Sequence, residues 1–116
     1  MSGAILLKKN GVFFSVFYFE TSYFQADDKY LKVFTFTGSY LIRASISSFE
    51  LSLPLNQFCR IHRSYIVSLN QISNFNYKEI FFGKAKLPIG KSYRKSFKQK
   101  ITDHLKSVQS FKVIGS

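Results

Sequence analysis

Phe58-Cys59-Arg60-Ile61-His62-Arg63-Ser64-Tyr65-Ile66-Val67 is a basic segment that runs directly into an apolar one. Arg60, His62 and Arg63 place three groups able to donate to phosphates or base edges within four positions, and Ser64 adds a hydroxyl suited to a nucleic-acid backbone. The same spacing also describes a strand whose solvent face carries Arg and His, and spacing alone does not separate the two readings. Cys59 and His62 fall on opposite faces of such a strand, so they do not make a nucleophile and its base.

Upstream, strand signals dominate. Asn10-Gly11 between Ile5–Lys9 and Val12–Phe19 predicts a two-residue hairpin, because both turn residues tolerate positive φ. Phe13, Phe14, Val16, Phe17, Tyr18 and Phe19 form a nearly continuous aromatic run, which predicts a strand buried on both faces. Tyr23 to Ala26 is a short strand, Asp27 to Tyr30 an exposed loop, and Tyr30 to Thr37 a further strand that turns at Gly38 into Tyr40 to Ala44, with Arg43 in that last strand. Ile46, Phe49 and Leu53 then recur at helical spacing, and Ser47-x-x-Glu50 has the form of a capping box, so a short helix is expected over about 46–53, ended by Pro54.

Downstream of the opening stretch, Ile72 to Tyr77, Glu79 to Phe82 and Ala85 to Ile89 read as three short strands, with Pro88 favouring a sheet edge for the last. Tyr93, Phe97, Ile101 and Leu105 return every four residues, which predicts an amphipathic helix over about 91–108 with Arg94, Lys95, Lys98 and Lys100 on its other faces. Gly90-Lys91-Ser92-Tyr93-Arg94-Lys95 leads into it and would bring cations to a helix N-terminus, a geometry that favours phosphate; solvated surface lysines are the plainer alternative.

The 116 residues carry 17 Lys and Arg against 6 Asp and Glu, a net charge of +11. Nine basic residues lie between Lys84 and Lys112 with Asp103 as the one acid, so most of the charge sits in the last quarter. A polyanionic partner follows, and composition leaves nucleic acid, an anionic membrane surface or simply a basic protein as candidates. Hydrophobic residues at 46%, with 14 Phe and 7 Tyr, are enough for a single-domain core over residues 1–116. Cys59 is the only cysteine, so no intramolecular disulfide is possible and a reducing cytoplasm is expected. The apolar stretches fall short of the roughly 18 residues of a membrane span, and no metal-ligand cluster, phosphate loop or carboxylate pair emerges, so neither a cofactor nor an enzyme is expected.

Phe58-x-Arg60-Ile61-His62-Arg63-Ser64-Tyr65-Ile66-Val67, followed by Leu87-Pro88-Ile89-Gly90-Lys91-Ser92-Tyr93-Arg94, resembles the signature of the LytTR DNA-binding domain, and Tyr23-Phe24-Gln25-Ala26-Asp27 resembles that family's Ala-Asp turn. The likeness spans about residues 5–105. Thr21 and Ser22 depart from it where apolar residues are usual, and Gly90 where serine is frequent. The resemblance implies a mainly β fold, an elongated stack of small antiparallel sheets, and duplex binding by loops that enter successive major grooves. Carried over by position, the DNA-binding residues would be Lys29, Tyr30, Arg60, His62, Arg63, Ser64, Lys91, Ser92, Arg94, Lys95 and Lys98. Arg63 has the fork to read guanine or clamp phosphate, and lysines 91, 95 and 98 suit phosphate as point charges, while Phe24, Phe58, Ile61, Tyr65 and Val67 are expected in the core. The resemblance also implies sequence-specific transcription regulation in a bacterial two-component system or by a standalone regulator, on paired DNA sites with a possible homodimer, under a receiver or sensor outside these residues. A basic β-rich module for RNA or an anionic protein is the alternative.

Overall fold

The computed structural model describes residues 3–106 and 110–115, and the last part of the helix expected to reach 108 lies outside them. β1 (Ala4–Lys9) and β2 (Val12–Phe17) pair antiparallel, with Lys9 opposite Val12. Asn10 and Gly11 between them have φ of 52° and 80°, the left-handed values that a type I′ turn demands.

The aromatic run behaves differently from its expectation. Only Val16 of that run is buried, whereas Phe13 is 61% exposed, Phe17 45% and Phe19 55%. A two-stranded ribbon has two faces, and this one packs just one of them: Phe14 meets Tyr40 at 5.4 Å between ring centroids, and Leu7 and Val16 lie beneath. The strand also ends early. Phe17 donates its N–H to the Glu20 carboxylate at 2.9 Å, and Tyr18–Glu20 close into a 3-10 turn.

The centre of the molecule is a five-stranded antiparallel sheet in the order β5-β4-β3-β7-β6, made of β3 (Thr21–Asp27), β4 (Tyr30–Thr35), β5 (Ser39–Arg43), β6 (Phe58–His62) and β7 (Tyr65–Ser68). Asp27 pairs with Tyr30, so the expected loop is a two-residue hairpin turn in which Asp28 takes φ 57°. Alternation along the strands builds two cores on opposite faces. Phe24, Leu31, Val33, Phe58 and Ile66 form one, under α1 (Ile46–Glu50). Tyr23, Cys59, Ile61 and Val67 form the other with Ile80, Leu87, Ile89, Phe97 and Ile101. The latter group comes from a three-stranded sheet, β8 (Asn74–Phe75), β9 (Glu79–Phe82) and β10 (Ala85–Pro88), and from α2 (Arg94–His104). β10 lies at the edge of its sheet, as Pro88 requires.

Two local expectations need correction. α1 is capped by Ser45, whose Oγ accepts from the Ser48 N–H at 3.2 Å, and not by a box starting at Ser47; the helix ends at Glu50, after which hydrogen-bonded turns carry the chain to Leu53. With Ser45 as the cap, Glu50 falls at the C-terminal end of the helix, where its carboxylate pairs with Arg60. At the other end, residues 91–93 form a 3-10 turn before α2 begins at Arg94. Thr21 is fully buried in a place where apolar residues are usual, and the Tyr18 carbonyl, 2.8 Å from its hydroxyl, accepts the hydrogen bond that makes this tolerable. The molecule measures 53 × 27 × 25 Å.

Candidate nucleic-acid interface

Strand pairing decides which turns become neighbours. Because Gln25 of β3 lies opposite Tyr65 of β7, the β3–β4 turn and the β6–β7 turn emerge from the same end of the sheet. The Ala26 N–H donates to the Ser64 carbonyl at 2.9 Å, which continues the ladder into both turns. Lys29 and Tyr30 of the first turn and Arg63 of the second are exposed, with Ser64 half-buried between them.

The third segment is tied to the same end by backbone. Gly90 donates its N–H to the Ile61 carbonyl and accepts from Tyr93, both at 2.8 Å, so the 3-10 turn bearing Lys91 and Ser92 stands beside His62. A Cβ on Gly90 would come within 3.1 Å of the Tyr93 ring, a tight approach that glycine avoids, and would lie in ordinary contact with the His62 ring at 3.7 Å. From there α2 runs back along β6, where the Lys100 ammonium donates to the Phe58 carbonyl at 2.9 Å. Lys91, Ser92 and Lys95 are exposed, and Lys98 lies 5.5 Å from the centroid of the Tyr77 ring. Arg94 is half-buried, its Nε donating to the Ile89 carbonyl at 3.3 Å.

His62 is fixed by its own turn. Its Nδ1 accepts from the Ser64 N–H at 3.0 Å, which in the neutral ring puts the proton on Nε2 and makes that nitrogen a donor. A register shift between Arg60 and His62 leaves Ile61 as an extra residue, buried in the core, so the chain is re-aimed where the basic side chains begin. Arg60 is the exception among the expected contacts. Its side chain is only 13% exposed, and it donates to Glu50 Oε1 at 2.7 Å, to the His62 carbonyl at 2.7 Å and to the Arg63 carbonyl at 2.6 Å.

Arg43 joins the cluster through pairing. It sits opposite Tyr30 at the end of β5 and is exposed, so a fifth strand delivers a guanidinium to this end. Sequence reading placed it in a strand, but its nearness to Tyr30 depends on β4–β5 register. Cys59, beside this region, is buried, and desolvation pushes its thiol up to about 11 against the lowering influence of Lys100. Among the described residues no group of three His, Cys, Asp or Glu could hold a metal, and no helix is long and apolar enough to cross a membrane.

The sequence matches the family model of the LytTr DNA-binding domain over residues 13–102. The chain belongs to that family. It is 30% identical over 83 residues to the sensory transduction protein LytT of Bacillus subtilis, covering 66% of this chain and 34% of the relative. An uncharacterised response regulatory protein of Vibrio cholerae is 32% identical over 88 residues, covering 68% and 34%. The chain therefore spans about a third of the length of these relatives. The LytTr DNA-binding domain of a putative methyl-accepting/DNA response regulator from Bacillus cereus superposes with a TM-score of 0.70 at 25% identity, over 84% of this chain and 95% of that one. All three turns of the LytTR domain described above fall inside the matched residues.

Proposed function

We propose that this LytTR domain binds duplex DNA at preferred sequences and regulates transcription, as the output module of a two-component-type or standalone regulator acting in the cytoplasm. The observation that carries this reading is the convergence of three turns, around Lys29, Arg63 and Lys91, at one end of one sheet. Arg63 and the His62 Nε2–H are the base-edge donors, since a guanidinium fork and a fixed ring nitrogen have the directionality that base reading needs. Lys29, Lys91, Lys95, Lys98 and Arg94 hold phosphates, with Tyr30, Ser64 and Ser92 as hydrogen-bonding partners to the backbone. Arg43 adds a contact beside Tyr30. Paired sites bound by two copies, governed by a receiver or sensor joined to this domain, complete the proposal.

Selection of bound fragments from a pool of random duplexes tests it. Enrichment of a discrete motif supports sequence-specific reading. Equal retention of unselected duplex, single strands and RNA would instead assign the cationic end to a general polyanion partner.

A further inference from the structure

We propose that Arg60 is a positioning residue for the DNA-reading turn, with no contact to DNA of its own, and that Glu50 of α1 sets it. The inference rests on the DNA-binding reading above and specifies how the Arg63-Ser64 turn is held. Each of the three guanidinium nitrogens already donates inside the protein: Nη1 to Glu50, Nε to the His62 carbonyl and Nη2 to the Arg63 carbonyl. The planar fork thus holds two successive carbonyls, those of His62 and Arg63, while its remaining nitrogen is fixed by Glu50, a geometry that a point charge on a flexible stem does not reproduce. The turn needs such a brace because the extra residue Ile61 interrupts the β6–β7 register just before it. The turn is also tied by the His62–Tyr65 pairing, by the Ser64 N–H to His62 Nδ1 and by the Ala26 N–H to the Ser64 carbonyl. Glu50 therefore couples α1, which lies on the opposite face of the sheet from α2, to the aim of Arg63.

The electrostatic expectation without positioning has the opposite sign, which makes the idea testable. Glu50→Gln removes a negative charge, so long-range attraction alone would strengthen binding to every duplex. Positioning instead predicts that the ratio of affinities for the selected and random duplexes falls by about tenfold, with random-duplex binding no weaker than in the parent. Arg60→Lys keeps the charge and loses the fork, so the same ratio falls while the salt dependence stays that of the parent. In an Arg63→Ala background Glu50→Gln has no further effect on the ratio. Thermal transitions of the variants confirm that they are folded.

A readout without DNA separates this inference from the functional reading. In the free protein, amide exchange at Ala26 and Ser64 accelerates in Glu50→Gln, because the Arg60 guanidinium loses the carboxylate that fixes it against the two carbonyls. Unchanged exchange at those amides, or a ratio preserved in Arg60→Lys, overturns the positioning role. If the parent prefers no duplex over another, the sequence-reading proposal fails, and the exchange measurement still decides whether Glu50 and Arg60 hold the turn.

Discussion

Two hairpins in this molecule invert what their compositions suggest. β1–β2 is rich in phenylalanine and leaves Phe13 and Phe17 in solvent; β6–β7 is rich in cations and carries Phe58, Cys59, Ile61, Ile66 and Val67 almost wholly buried. The difference lies in what the rest of the chain places opposite each one. β6–β7 is one side of a five-stranded sheet covered on both faces, while β1–β2 is a ribbon of two strands with one packed face. Burial is a property of topology, and hydrophobicity only makes a strand eligible for it.

Several measurements would break or sharpen this contrast. The largest effect is expected from Ile66→Ala, which empties a buried site in the core shared with Phe24 and Phe58 and should cost about 2–5 kcal/mol in chemical unfolding. A loss below about 1 kcal/mol would mean that the cationic hairpin is not the structural centre that its burial suggests.

On the exposed tip of the same hairpin, Arg63→Ala should leave stability nearly unchanged and weaken binding to a preferred duplex by about 1–3 kcal/mol, relaxing the preference at one position. Equal weakening on random DNA would make Arg63 a phosphate clamp. The core of that hairpin also has a pH signature. Cys59 titrates in the folded protein near 11, above its ordinary value of 9.0, because burial disfavours the thiolate. A raised folded pKa means that the unfolded chain loses its proton first. The contribution of Cys59 is therefore intact below pH 9 and is lost as pH rises toward 11. Subtracting the stability–pH curve of Cys59→Ala from that of the parent isolates it; a flat difference across that window would show the thiol to be solvated.

Lys95→Ala should act on all duplexes by a similar factor and shift the log–log salt slope, about −5 to −7 for the parent, by about one. A change confined to one sequence would move Lys95 among the base readers. The smallest effect is expected from Phe13→Ser on the exposed face of β1–β2, within about 0.5 kcal/mol in unfolding, since its ring is largely in solvent with the Lys8 ammonium 5.1 Å from its centroid. A loss of several kcal/mol would show that this face is covered in solution.

Much of the fold was legible because local chemistry and global pairing agree. Asn10-Gly11 occupies the positive-φ turn it is suited to, Pro88 sits on an edge strand, and the four-residue return of Phe97 and Ile101 marks the buried stripe of α2. The candidate site was legible as segments, since runs of Arg, His and Lys next to small polar residues are visible without coordinates. Its assembly was not. That Lys29, Arg43, Arg63 and Lys91 share one end depends on β3–β7 and β4–β5 register and on the Gly90–Ile61 bond, none of which a single-chain pattern encodes. Ser47-x-x-Glu50 misled because Ser45, two residues earlier, is an equally suitable cap and takes the Ser48 N–H, which places Ser47 inside the helix and Glu50 at its last residue.

The hydrogen bond from Ala26 to Ser64, together with the Arg60 bonds inside the second turn, ties the two turns together before any ligand arrives. Its consequence is thermodynamic. Docking onto a groove then requires little ordering of the protein backbone, so the heat-capacity change of association should report water displaced from matched surfaces, and not a coupled folding transition of the binding edge.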